Sequence, residues 1–215
     1  MSTTGLPTWQ PSLFEAATRG AALSFDGVVR HQLDHTAWVD QVTGWLQGPD
    51  ALFDWLLNNA AWHTGEIVIH GKRMVQPRLL ANWPCGDGDP PLPPSIERLR
   101  GALTACYARR FDSVGVNLYR DGRDSVAWHG DRIDRGVHDP VVGILTLGQP
   151  RRFLLRPVGG RTALTLVPTA GDLLVMGGTS QRTWQHTVPK VASAGPRMSV
   201  TFRHATNDPV PAADG

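Results

Sequence analysis

The chain is poor in most features that assign a protein at sight. Its 215 residues hold two cysteines, Cys85 and Cys106, and no CxxC pair. That excludes a zinc ribbon, a dithiol redox motif and a disulfide framework, and favours a reducing compartment. No apolar run approaches the roughly 18 residues of a membrane helix, and the opening MSTTGLPTWQ has neither the basic nor the apolar stretch of a secretory signal. A cytoplasmic location with no membrane partner is therefore expected. Charge of one sign is also missing: the formal net charge is +2, too small to argue for nucleic acid by itself. Its distribution says more, because residues 120 to 161 hold eight arginines (120, 123, 132, 135, 151, 152, 156, 161) against five aspartates (121, 124, 131, 134, 139). There is no internal repeat and no low-complexity segment.

What is present is an ordinary globular composition, 41% hydrophobic and 19% charged, consistent with one domain. Two helices are predicted. DALFDWLLNN (50–59) would be capped by Asp50 and bury Leu52, Phe53, Leu56 and Leu57. SIERLRGALTACYARRF places Ile96, Leu99, Leu103, Cys106 and Tyr107 at helical spacing over 95–110. GEIVIHG (65–71) and PRLLANW (77–83) read as strands, and PCGDGDPPLPP (84–94) as a loop that could shape a rim. After Phe111 short strands recur at 114–120, 125–129, 141–147, 152–156, 163–167, 172–176, 183–187 and 197–203, divided by glycines, the pattern of a β-sandwich or barrel. Residues 205–215 read as a frayed tail.

Chemistry concentrates in GVNLYRDGRDSVAWHGDRI (115–133). Alternate strand residues face the same way, so Gly115, Asn117 and Tyr119 share one face while Val114, Val116 and Leu118 pack on the other. The same rule sets His129 and Asp131 side by side at a strand end, able to fill two adjacent positions of an octahedral metal. His186 in TWQHTVP is available as a third ligand, giving the two-histidine, one-carboxylate set of non-haem iron. Chance spacing is the alternative for HxD alone. In PRMSVTFR, Arg197, Ser199, Thr201 and Arg203 share a polar face, with the Cα atoms of the two arginines about 20 Å apart. Such a face suits a short diacid held at both ends, or else is a solvated edge.

Taken in order, Asn-x-Tyr (117, 119), His-x-Asp (129, 131), the distal His186 and the Arg-x5-Arg of PRMSVTFR resemble the AlkB family over residues 65 to 204. Members are iron(II)- and 2-oxoglutarate-dependent dioxygenases that remove alkyl groups from nucleic-acid bases. The resemblance implies a mainly β, α+β fold, a double-stranded β-helix or jelly-roll barrel. Residues 1–94 would form an N-terminal extension and substrate lid, and 95–204 the bracing helix and catalytic core.

It also implies roles for particular residues. Fe(2+) would be held by His129, Asp131 and His186, and 2-oxoglutarate by Asn117, Tyr119, Arg197 and Arg203, with Ser199 close enough on the same face to add a contact. O2 would be the second cosubstrate, alkylated DNA or RNA the partner, and no obligate protein partner is implied. QPRLLANWPCGD resembles the substrate-lid segment, making Trp83 a candidate to stack on a flipped base, or else a core residue. Trp184, two before His186, could line the site. Characterised repair members commonly carry an acidic residue two after the metal aspartate; here Ile133 stands there, with Asp134 next. That departure keeps a second reading in view, a 2-oxoglutarate-dependent hydroxylase of a peptide or small metabolite.

Overall fold

A computed structural model describes residues 23–69, 71–85 and 88–206. The chain forms β1 (Val29–Gln32), β2 (Trp38–Val42), α1 (Pro49–Asn59), β3 (His63–Ile69), β4 (Lys72–Pro84), α2 (Pro94–Tyr107), β5 (Ser113–Tyr119), β6 (Val126–His129), β7 (Val142–Gly148), β8 (Phe153–Pro157), β9 (Leu164–Leu166), β10 (Leu173–Gly177), α3 (Ser180–Thr183), β11 (Trp184–Val188) and β12 (Arg197–Arg203). The first 22 residues of the expected N-terminal extension, and residues 207–215 of the expected tail, lie outside the described residues. Ala205 and Thr206 are tied down, their amides donating to Asp112 Oδ2 at 3.0 and 2.7 Å.

The strands do not form the expected jelly-roll barrel. Hydrogen bonding gives two separate antiparallel sheets, one ordered β1-β2-β10-β7-β12-β5-β4-β3 and the other β6-β11-β8-β9. Neither sheet closes on itself: β1 and β3 are the edges of the larger, β6 and β9 of the smaller. The fold is α+β with two stacked sheets, joined by packed side chains rather than by a continuous ladder.

Strict alternation along the central strands builds both apolar layers. Val114, Val116 and Leu118 of β5, Met198, Val200 and Phe202 of β12, and Leu145 and Leu147 of β7 join Phe53 and Leu56 of α1 and Ile96, Leu99 and Leu103 of α2. This is the layer between the large sheet and the helices. On the other face, Tyr119, Ile144, Leu174 and Met176 meet Phe153, Leu155, Trp184 and Val188 of the small sheet. One position out of phase would exchange these faces, so the register is set by burial. The register Arg197↔Tyr119 and Ser199↔Asn117 then fixes which polar side chains meet between the sheets.

The helices start differently from the sequence expectation. Asp50 is not the cap of α1: Gly48 holds the N-cap in a left-handed conformation and Pro49 opens the first turn. α2 stops at Tyr107 because Ala108 turns to φ 50°. No helix among the described residues is long and apolar enough to cross a membrane.

Candidate metal centre and anion pocket

β6 and β11 pair with His129 opposite His186, which brings the two rings to 4.3 Å between centroids. Asp131 follows two residues after His129, and one ligand atom from each of the three residues lies within 4.8 Å of the others. His129 Nδ1 is 2.9 Å from the carbonyl of Ala127. A carbonyl only accepts, so Nδ1 is the donor in this contact and Nε2 is the nitrogen left to face a metal. The His186 ring stacks on Phe153 at 5.2 Å. Burial first, and then the neighbouring His129, pushes the His186 pKa down to about 3, so this ring is a neutral donor. Asp131 behaves oppositely. Burial works against its charge, but the Arg203 guanidinium and both histidines outweigh it and hold the carboxyl below its usual range.

The carboxylate is used unevenly. Arg203 Nε donates to Oδ1 at 2.7 Å; Oδ2 is buried with no hydrogen-bond partner and lies 3.6 Å from His186 Nε2. An orphaned, charged oxygen between two imidazole donors is a costly arrangement without a cation. The residues therefore fit a divalent metal that accepts N and O ligands.

Beside the triad is a cavity of about 420 Å³ counting its open mouth, whose lining includes Arg78, Asn117, Tyr119, Ser199, Thr201 and Arg203 together with the three metal-ligand candidates. Arg197 lies at the end of this face with no exposed surface. Its Nη1 donates to Ser199 Oγ at 2.6 Å and its Nη2 to Thr146 Oγ1 at 3.2 Å, its Nε has no partner, and its guanidinium carbon is 5.2 Å from the Tyr119 ring centroid. No carboxylate among the described residues pairs with it. A buried cation held only by hydroxyls fits an anionic ligand. Gly115 makes room for the other arginine: a Cβ there would stand 2.9 Å from Arg203 Nη1 and 3.1 Å from Asn82 Oδ1.

The structure thus gathers His129, Asp131, His186, Asn117, Tyr119, Ser199 and Arg203 around one cavity, with Arg197 behind Ser199. The substrate candidates fare differently. Trp83 sits opposite Val114 in the β4–β5 register and packs into the helix-side layer, on the face of the sheet turned away from the cavity. Trp184 faces inward but is buried in the inter-sheet layer, its Nε1 donating to Asp34 Oδ2 at 2.6 Å. Ile133 is half-buried against the same layer. Asp134 is exposed and spends Oδ1 on the Gly136 amide at 2.7 Å.

Arg78 escaped the sequence reading. Its Nε donates to Asn117 Oδ1 at 2.8 Å and its Nη1 to the Ser125 carbonyl at 3.2 Å, leaving the Asn117 NH2 free to donate elsewhere. Alternation with Leu80 and Asn82 was a usable signal, since it puts all three on the Asn117 side of the sheet. Thr146, the one polar side chain in the buried run VGILTLG, was another. Arg151, one of the eight arginines of 120–161, is buried and bonded to the carbonyls of Asp121, Asp124 and Pro189.

Two stacked sheets, a His/Asp/His cluster and a buried arginine on the last strand define a class, and comparison with known proteins names it. Residues 77–203 match the 2OG-Fe(II) oxygenase superfamily, and the chain belongs to it. Within that superfamily its sequence is similar to alkB homologs. It is 34% identical over 183 residues to the alpha-ketoglutarate-dependent dioxygenase alkB homolog 3 of Mus musculus, covering 76% of this chain and 64% of that protein. It is 29% identical over 191 residues to the DNA oxidative demethylase ALKBH2 of Arabidopsis thaliana, covering 70% of this chain and 60% of the relative. The chain therefore spans somewhat under two thirds of these relatives' length. Among solved structures, OsALKBH1 superposes with a TM-score of 0.54 at 16% identity, covering 82% of this chain and 100% of that one. A prolyl hydroxylase from Trichoplax adhaerens superposes with 0.57 at 15% identity, covering 78% and 83%. At such identities the likeness is one of fold.

Proposed function

We propose that the chain is an iron(II)- and 2-oxoglutarate-dependent dioxygenase that removes alkyl groups from the nitrogens of bases in DNA or RNA. The products would be succinate, CO2, an aldehyde and the restored base. The observation that carries this reading is the buried, unpartnered Asp131 Oδ2 between two histidines, beside a cavity lined with arginines. The relatives, an alpha-ketoglutarate-dependent dioxygenase and a DNA oxidative demethylase by name, suggest the substrate class.

Within this reading His129 Nε2, Asp131 Oδ2 and His186 Nε2 would hold the iron on one face. When bound, iron and cosubstrate would supply the oxidation of the N-alkyl carbon by O2. The chain's part is placement. Arg197, steadied by Ser199 and Thr146, would neutralise the carboxylate of 2-oxoglutarate far from the metal. The Asn117 amide, its oxygen occupied by Arg78, would donate from its NH2. Arg203 would hold Asp131 in place while offering its remaining N–H groups to the carboxylate nearer the metal. Phe153, Ile144, Val126 and Val188 line the cavity with apolar groups and limit water beside the reacting centre.

The test is a panel of N-methylated DNA and RNA oligonucleotides, methylated peptides and small metabolites, with succinate and formaldehyde measured together. Stoichiometric formaldehyde and succinate from an oligonucleotide is the expected result. Turnover confined to peptides or metabolites would replace the nucleic-acid reading with the hydroxylase reading that the Ile133 position keeps open.

A further inference from the structure

We infer that Gln181 is a positioning residue of the metal centre, fixing the backbone of Asp131 so that its carboxylate presents a single oxygen to the ion. The inference rests on the metal-centre reading above and concerns a residue outside the ligand set.

The pairing of β6 with β11 reaches the rung His129↔His186, and β6 ends at His129. Asp131 therefore lies beyond its strand with no ladder partner to hold it. Gln181 supplies the missing bond: its Oε1 accepts the Asp131 amide proton at 2.8 Å. The amide orientation is settled, because only the oxygen can accept an N–H, and Nε2 then points to Met176 Sδ at 3.6 Å. Gln181 is 7% exposed and belongs to α3, five residues before His186. One short segment thus carries both the third ligand and the support for the second.

The loop also lies directly against the backbone of the same segment. At Gly130 a Cβ would stand 2.5 Å from the Gln181 carbonyl oxygen and 3.6 Å from that of Trp184, so a side chain there would lift the loop off α3. With the backbone held by Gln181 and Oδ1 held by Arg203, Oδ2 is the one carboxylate atom left to face the histidines. Outer contacts of this kind typically change metal affinity about 10–100-fold when removed.

Arg182 offers an internal control. Its Nη2 donates to the carbonyls of Asp134, Arg135 and Val137, so it braces the same loop further along without touching Asp131. The experiment is Mn(II) titration of the metal-free full chain by calorimetry, with thermal melting on each preparation, for wild type, Gln181→Met, Gly130→Ala, Arg182→Ala and Asp131→Ala. Expected are a Mn(II) affinity about 10–100-fold weaker in Gln181→Met and Gly130→Ala, a lowered Tm with wild-type affinity in Arg182→Ala, and no binding in Asp131→Ala. Wild-type affinity per folded molecule in Gln181→Met, while Asp131→Ala binds nothing, overturns the positioning role and leaves the metal centre standing. If wild type itself binds no Mn(II), the metal-centre reading falls and this inference with it. Should Gln181→Met fail to fold, Gly130→Ala decides the same question, since it keeps Gln181 and displaces the loop.

Discussion

Arg203 on the last strand and Asp131 beyond the end of β6 share an ion pair of 2.7 Å across 72 positions of sequence. The acid is 5% exposed and the arginine 24%, so the pair is shielded enough for its loss to matter. Arg203→Met should leave an uncompensated carboxylate and destabilise the metal-free protein by about 3 kcal/mol, the low end for breaking a buried pair because the arginine still reaches solvent. Mn(II) should restore much of the loss by replacing the missing positive charge. Melting curves with and without metal check both statements.

Removing a ligand should act on binding and turnover together. His186→Ala and Asp131→Ala are expected to lose succinate formation entirely while the stacked sheets persist by circular dichroism. Wild-type-like succinate from purified Asp131→Ala would sink the ligand set.

Arg197 should act on the cosubstrate alone. With its charge-assisted bonds gone, Arg197→Met should raise the KM for 2-oxoglutarate about 10–100-fold, the equivalent of losing roughly 1.5–3 kcal/mol. Arg161, exposed in the turn between β8 and β9, serves as the control, and Arg161→Ala should leave that KM unchanged. Steady-state kinetics over a range of 2-oxoglutarate concentrations decides it.

Trp83 should matter for stability and not for binding. Its ring packs with the helix-side layer, so Trp83→Ala should cost about 2–4 kcal/mol, below the full figure for a wholly buried tryptophan. Affinity for an oligonucleotide per folded molecule should not change. A tenfold loss of affinity at unchanged Tm would return Trp83 to the substrate site.

Asp34 gives a prediction in pH. The Trp184 Nε1 donor, followed by the amides of Ala37 and Thr36, lowers its pKa from 3.8 to about 2. A depressed acid contributes stability that is complete above its unfolded pKa and disappears as pH falls through the folded one. The Tm difference between wild type and Asp34→Asn should therefore be constant above about pH 5 and shrink toward pH 2. A difference that stays the same down to pH 2 would remove the Asp34 carboxylate as its cause.

The strands around the site were legible because burial there is alternate and uninterrupted. PRMSVTFR reads as a strand over 197–203, and that is where β12 lies; the expected strand 114–120 is β5 shifted by one residue. Nothing comparable marked β1 and β2. Their pattern is broken by Asp40, which is buried with Arg30 pairing to it at 2.6 Å and the Tyr107 hydroxyl donating to it at 3.1 Å, contacts the sequence does not display. The barrel expectation failed for a related reason. Alternation reports which face of a strand is covered, not whether the ladder continues from one sheet into the next. Trp83 shows the ambiguity of a single aromatic at a strand end, where one step of register decides between site and core. Arg78 and Gln181 owe their importance to partners 39 and 50 residues away, a kind of relationship visible only once the chain has folded.

The position of β12 in the large sheet has a consequence for how this protein comes into being. β5 and β7 do not bond to each other; β12 lies between them and pairs with both. During synthesis, everything up to residue 196 can leave the ribosome while the sheet remains two unconnected halves, each with an open edge. The strand that joins them also brings Arg197, Ser199 and Arg203. Completion of the fold and assembly of the anion pocket are thus a single late event, and a chain halted before that strand is a ready target for chaperones and proteases rather than a weak version of the finished protein.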